Sequence, residues 1–388
     1  MFFALRRCIT LIVLLLSTAV LPAQDEYLQI VTEQDEDGTY RFYAESSHIV
    51  PLWLKVYFKK LNNLEASETI PFFTAIEPGQ SEVFLFSLSP VEENKSYGYR
   101  MVYSYSRGNP ETADHDESYR YLFPFKHGSK HRITQGHNGK FTHFDENQYA
   151  LDFDLDTGTA IYAARSGRVV EVKEDSNYGG PGAQYSKHAN YILIYHDDGS
   201  FGNYVHLRQN GADVEAGDYV EAGDFLGYSG NTGRSSGPHL HFDVRLPTFS
   251  GGMQSIPVRF LNYDGAVIDP EENRFYYAYH PGKPEFEAVF GRDLKNSDYR
   301  DYAEAAEADG KISLRTEELD FTYIVFISNG VDRRLELTVD ADLNNMSSTV
   351  PLPAQIEIPP LTEIFLTLLR PADESSRWGY SFSVKYRK

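Results

Sequence analysis

The stretch "SSGPHLHFDVR", residues 235–245, sets two histidines either side of one leucine directly after a glycine-rich run. On a β-strand alternate residues share a face, so His239, His241 and Asp243 project together while Leu240 and Phe242 turn to the core. Such a face suits a metal or a proton-transfer pair. It equally suits a surface strand with incidental histidines, and the triplet alone does not decide. A second segment, "QGHNGKFTHFDENQYALDFDLDTGT", reads as a strand with Asp152, Asp154 and Asp156 on one face. It is not an EF-hand, because Gly158 falls one place late and position twelve is Ala163 instead of Glu. Asp152 is the better metal-ligand candidate, with Asp154 and Asp156 as solvated or turn residues. A third segment carries His206 on an alternating strand after the turn "HDDGS", with Tyr204 on the same face as a lesser substrate- or oxyanion-binding candidate. Gly227, Gly230 and Gly233 lack a following Lys-Ser or Lys-Thr and lead into a strand, which argues against a phosphate cradle and for tight turns and a close substrate backbone.

Those residues need a scaffold, and the composition says which kind. Tyr (28) and Phe (25) are abundant, and "TYRFYAE", "LWLKVYFKK" and "EVFLFSLS" alternate polar with aromatic or branched residues, the period of antiparallel sheet. The best helix candidate is "NSDYRDYAEAAEADGK", a short connector with Ser297 or Asp298 as cap and Gly310 as stop. "LKVYFKKLNN" (54–63) resembles "LELTVDADLNN" (335–345); each precedes a strand "EVFLFSL" or "EIFLTLL" and closes on "YGYRMVYSY" or "WGYSFSVKY". A repeat at so long a period implies two copies of a β-sandwich of about a hundred residues. The Gly- and His-rich segment between them is where chemistry is expected. The predicted class is all-β, divided into residues 1–23 (signal peptide), 24–125 (sandwich), 126–260 (central antiparallel sheet) and 261–388 (second sandwich, with a connector at about 285–315).

Residues 1–23 hold Arg6, Arg7, an apolar run and small residues near Ala23, the pattern of a secretory signal too short for a membrane anchor. Its loss takes the net charge from -20 to about -22, a poor match for nucleic acid or anionic lipid, with no stable membrane insertion expected afterwards. The single cysteine, Cys8, goes with it and stands wrongly for lipidation, so an exported chain has neither disulfides nor thiolate ligands. Any metal must then be held by His, Asp or Glu.

The ordered motifs His, "YALDF", "GTAIYAARSGRVVEV", "YVHL" and "VEAGDYVEAGDFLGYSGNTGRSSGPHLHF" resemble the lysostaphin-type (LytM-like) zinc metallopeptidases, metallopeptidase family twenty-three, over about residues 130–245. The resemblance implies a lysostaphin-like, duplicated-hybrid-motif β-sheet domain, Zn2+ as cofactor, and hydrolysis of peptide bonds in bacterial peptidoglycan, stem peptide or cross-bridge. It implies His143, Asp152 and His241 as metal ligands, with His206 and His239 as catalytic imidazoles whose individual roles stay open. Three protein ligands are what a catalytic zinc requires, and zinc brings the pKa of its water from 15.7 toward roughly 7. Family members commonly place the first histidine four residues before the aspartate, whereas His143 precedes Asp152 by nine, so His137 is the alternative first ligand. His131, His188 and His196 are expected as solvated loop residues. A periplasmic or secreted location follows, with peptidoglycan peptides as partners and other envelope proteins docking through the sandwiches. Trp53 and Trp378 are expected as structural aromatics. The alternative function is a catalytically idle scaffold or activator of cell-wall hydrolases.

Overall fold

The computed structural model describes residues 27–92 and 94–386, so the expected signal segment and Cys8 lie outside the described residues. Strands dominate, and the only helical elements among the described residues are short 3-10 turns. The chain divides into two compact units that meet at Arg107 and Gly108.

In the first unit, strands Leu28–Gln34, Tyr40–Ser46, Val83–Pro90 and Leu64–Ala66 form one sheet in that order; Phe72–Ile76, Leu52–Asn62 and Gly98–Arg107 form the other. Period-two alternation sends Phe42, Ala44, Phe86 and Leu88 from the first sheet and Leu52, Leu54 and Val56 from the second into one buried core. The second unit ends on the same plan. Ile312–Leu319, Thr322–Asn329, Thr362–Pro371 and Met346–Ser348 pair in the same order, and Ala354–Ile358, Leu335–Asn344 and Gly379–Tyr386 pair as a second sheet. Matching details run deep. Asn63 and Asn345 both sit in the left-handed region (φ 49° and 51°). Each uses its side-chain amide to staple a turn: Asn63 Nδ2 donates to the Glu92 carbonyl and Asn345 Nδ2 to that of Asp373, while each Oδ1 accepts the N–H of that same residue. Trp53 is 3 % exposed and stacked on Phe73, and Trp378 donates to the Tyr323 hydroxyl. Both tryptophans thus have structural partners.

The central part of the second unit is a nine-stranded sheet. Along it run 219–220, Gly167–Lys173, Tyr191–Tyr195, Phe201–Val205, Leu240–Pro247, Leu151–Phe153, Lys130–Gln135 and Phe275–Tyr277, with Met253–Ile256 pairing Leu240–Pro247. Tyr121, Phe123, Phe125, Phe153, Phe242 and Phe260 are fully or almost fully buried in its core. Two boundaries therefore move. Residues 108–125, expected in the first sandwich, contribute three aromatics to the central core, and Phe275–Tyr277, expected in the second, pairs with Lys130–Arg132.

The predicted helix at 296–310 does not form. A 3-10 turn spans Asn296–Tyr299, and Ala303–Ala305 instead pairs with Thr362–Ile364. Tyr299 and Tyr302 are held against Phe326 and Phe365, and these tertiary contacts override the local helix preference of the alanines and glutamates. Gly310 (φ +71°) makes a turn.

Candidate metal centre

Three adjacent strands build the site. His241 on the central strand Leu240–Pro247 faces Asp152 directly in the antiparallel register, and Gln135 on the next strand faces Asp152 from the other side. Leu240 and Phe242 are buried beneath, as the alternation requires. His143 comes from the loop between Gln135 and Leu151, which the 3-10 turn Asp145–Asn147 folds back on itself; the nine-residue spacing is taken up there. Ligand atoms of His143, Asp152 and His241 lie within 4.8 Å of one another, and all three residues are buried.

The hydrogen bonds say what this cluster lacks. His143 Nδ1 donates to the Gly136 carbonyl at 2.8 Å, which leaves Nε2 directed at Asp152 Oδ1, 3.1 Å away. His241 Nδ1 lies 2.9 Å from the same oxygen. A neutral His143 in that tautomer would point a lone pair at a carboxylate in a buried site. A positive charge between them, proton or metal ion, removes the repulsion. Consistent with this, burial opposes charging His143, but Asp152 and the Gly136 carbonyl outweigh it and its pKa is raised. Burial likewise opposes the Asp152 carboxylate, and the two imidazoles overcome it, holding its pKa well below the usual range. Two imidazole nitrogens and a carboxylate oxygen are the donor chemistry that zinc accepts, so the residues fit such an ion.

His206 and His239 stand beside the cluster with ring centroids 4.5 Å apart, and His206 is 5.9 Å from His241. His206 Nδ1 donates to the Thr232 carbonyl at 2.6 Å; His239 Nδ1 meets the Gly237 carbonyl at 2.9 Å and Ser235 Oγ at 3.2 Å. Each ring thus offers Nε2 to the site, and His239 Nε2 is 3.7 Å from Asp152 Oδ1. Burial, reinforced by His239 and His241, pushes His206 down to about 3, so its imidazole is neutral without a metal.

Several sequence expectations change here. His206 is not on the strand with Tyr204: it takes φ +73° just beyond Phe201–Val205, and its N–H donates to Asn190. The left-handed turn breaks the alternation and throws the ring toward His239. Tyr204 therefore does not share its face; it is fully buried, its hydroxyl accepts the Ala164 N–H, and burial raises its pKa. Asp243 is held by Asn203 and Arg245. Asp154 pairs with Arg132. His137 lies outside the cluster, edge-on to Tyr149. His131 packs on Phe125, and His196 is 1 % exposed and pushed down to about 4 by burial; neither is a solvated loop residue. His188 is half-buried against Tyr178. The glycines admit the chain's own backbone: a Cβ on Gly230 would meet Arg208 N at 2.3 Å, and one on Gly233 would meet Ala189.

Gln135 was not anticipated. Its Nε2 donates to Asp152 Oδ2 (3.0 Å) and Thr142 Oγ1 (2.7 Å), while its Oε1 accepts the Phe141 N–H. One buried amide therefore orients the carboxylate and pins the loop that delivers His143. Partners of this kind typically matter about 10- to 100-fold in metal affinity. Gln135→Leu is expected to weaken metal binding by that order, read by competition with a chromophoric chelator; unchanged affinity would deny the role.

A buried His–Asp–His cluster flanked by two further imidazoles, on an antiparallel sheet, is an arrangement able to hold a metal ion. Residues 146–254 match the model of Peptidase family M23. The match includes Asp152, His206, His239 and His241; His143 lies just ahead of it. Lysostaphin of Staphylococcus staphylolyticus is 36% identical over 155 residues, 39% of this chain and 29% of that protein. Peptidoglycan DD-endopeptidase ShyA of Vibrio cholerae is 36% identical over 93 residues, 24% of this chain and 19% of that protein. The catalytic domain of lysostaphin from Staphylococcus simulans is 32% identical with a TM-score of 0.24, covering 33% of this chain and 87% of that one. The chain thus spans less than a third of the length of these two curated relatives. Among the described residues no helix is long and apolar enough to cross a membrane.

Proposed function

We propose that the protein is a zinc-dependent endopeptidase that hydrolyses peptide bonds of bacterial peptidoglycan, in the stem peptide or the cross-bridge, in the periplasm or outside the cell. The observation that carries this reading is the convergence of His143, Asp152 and His241 within 4.8 Å inside a Peptidase family M23 match. The names of the relatives, lysostaphin and a peptidoglycan DD-endopeptidase, support the substrate class.

His143, Asp152 and His241 would hold the zinc. Bound there, zinc supplies Lewis acidity and brings water's pKa toward about 7. His206 and His239, each with Nδ1 tied to a carbonyl, present Nε2 to the reacting groups. Each Nε2 therefore starts as an acceptor: it takes the proton of the attacking water and, once protonated, donates to the charged carbonyl oxygen or passes that proton to the departing amine. Their rings need no rearrangement for this, because the Thr232 and Gly237 carbonyls already fix tautomer and orientation. The residues 1–23 direct export. The flanking sandwiches dock envelope partners.

The test is purified protein on isolated peptidoglycan sacculi, with and without a zinc chelator, alongside elemental analysis. One zinc per chain and chelator-sensitive release of peptides are expected. Absence of both zinc and released peptides would favour an idle scaffold, and cleavage of unrelated proteins but not sacculi would overturn the substrate assignment.

A further inference from the structure

The chain is strongly acidic, with 56 Asp and Glu against 36 Lys and Arg, yet three stretches beside His206 and His239 are free of acid, bordered by Glu174, whose carboxylate accepts the Ala212 N–H, and by Asp175, which pairs with Lys173. Residues 176–190, 206–212 and 225–242 contain no Asp or Glu, where the chain's overall frequency would place several. They do contain Lys187, Arg208 and Arg234, all exposed. Among the described residues Lys187 and Arg234 have no ion-pair partner within 4 Å, and Arg208 stacks its guanidinium over the Tyr228 ring at 4.1 Å, also unpaired with an acid.

These three segments are one surface. Arg234 lies between Thr232, whose carbonyl fixes His206, and Ser235, whose hydroxyl meets His239. The pair Gly233–Arg234 runs parallel to Gly179–Gly180, and the Ser235 N–H donates to the Gly180 carbonyl. The 3-10 turn Ala183–His188, which carries Lys187, leads straight into Ala189, against which Gly233 packs. Arg208 follows His206 by two residues, and its backbone is in contact range of Gly230, which bridges to His239.

An exposed guanidinium without an acidic partner, set between the anchors of both imidazoles, is a carboxylate receptor: its planar fork matches a carboxylate bidentately, and Lys187 and Arg208 add field of the same sign. Resting on the reading of the site as a peptidoglycan endopeptidase, we propose that Arg234 is a specificity-determining residue that binds a free carboxylate of the substrate next to the cleaved bond, so that acidic stem peptides are preferred over carboxamide or oligoglycine ones. The surrounding excess of acid on the rest of the surface sharpens this, since an anionic substrate is repelled elsewhere and attracted here.

The experiment compares two synthetic stem-peptide dimers, one with a free carboxylate beside the cleaved bond and one with that group as the carboxamide, using the zinc-loaded full chain. The expected ratio of kcat/KM is about tenfold in favour of the carboxylate, falling as salt is raised. In Arg234→Gln the ratio should collapse toward one, and Arg234→Lys should restore part of it; a merely structural loss would lower both substrates together and leave the ratio intact. A wild-type ratio near one, or a ratio untouched in Arg234→Gln, overturns the inference while leaving the peptidase reading standing. Cleavage of neither dimer by the wild type would overturn that reading itself.

Discussion

Asp152→Asn is expected to abolish metal retention and to lower peptide release from sacculi by at least about a thousandfold, the loss of several kcal/mol of transition-state stabilisation. The substitution keeps the shape of the side chain and removes its charge. Asp152 Oδ1 is the single atom that His143 Nε2 and His241 Nδ1 both approach, at 3.1 and 2.9 Å, so without its charge two buried imidazoles are left facing a neutral amide. Nothing else in the cluster supplies a negative charge: Asp243 is engaged by Asn203 and Arg245, and Asp154 by Arg132. Elemental analysis after dialysis and a muropeptide digest read the two effects independently. A variant that kept one metal per chain, or activity within tenfold of wild type, would show that the carboxylate is not a ligand.

His206→Ala and His239→Ala are expected to behave differently from Asp152→Asn: each should retain its metal yet lose about 10²- to 10⁴-fold in kcat, the range for removing a positioned general acid or base. The geometry gives the reason. Both rings are tethered through Nδ1 to backbone carbonyls from the 232–237 segment, and they stand beside the ligand set instead of within it. His239 is the more informative of the two, because its Nε2 lies only 3.7 Å from Asp152 Oδ1. Loss of metal from His239→Ala would transfer it to the ligand set; full activity in either variant would remove that residue from the chemistry.

How much of this could be read from the residues depended on whether local pattern or distant contact governed each position. The "HLHF" alternation was legible because Leu240–Pro247 is a regular central strand with neighbours on both sides, so its period of two holds. His206 was misplaced on its strand because one residue at φ +73° reverses the pattern, and a histidine in that conformation leaves no mark in the sequence. Tyr204 followed it into error. Gln135 was invisible for another reason: its importance lies in three hydrogen bonds to residues 6 to 17 positions away, which depend on register and loop path together. The repeat was seen only where residue types were kept, in the strands around Asn63 and Asn345. The strands at 28–46 and their counterparts at 312–329 pair in the same order without readable likeness, since a sheet needs only alternation and burial, which many sequences satisfy. The helix at 296–310 failed because Tyr299 and Tyr302 gain more against Phe326 and Phe365 than a short exposed helix would return.

The most direct test is an anomalous difference map at the zinc edge from crystals of the full chain. One peak is expected, about 2.0–2.2 Å from a nitrogen of His143, a nitrogen of His241 and a carboxylate oxygen of Asp152. A peak ligated by other side chains, or a zinc-treated crystal with those three residues still bonded only to one another, would contradict it.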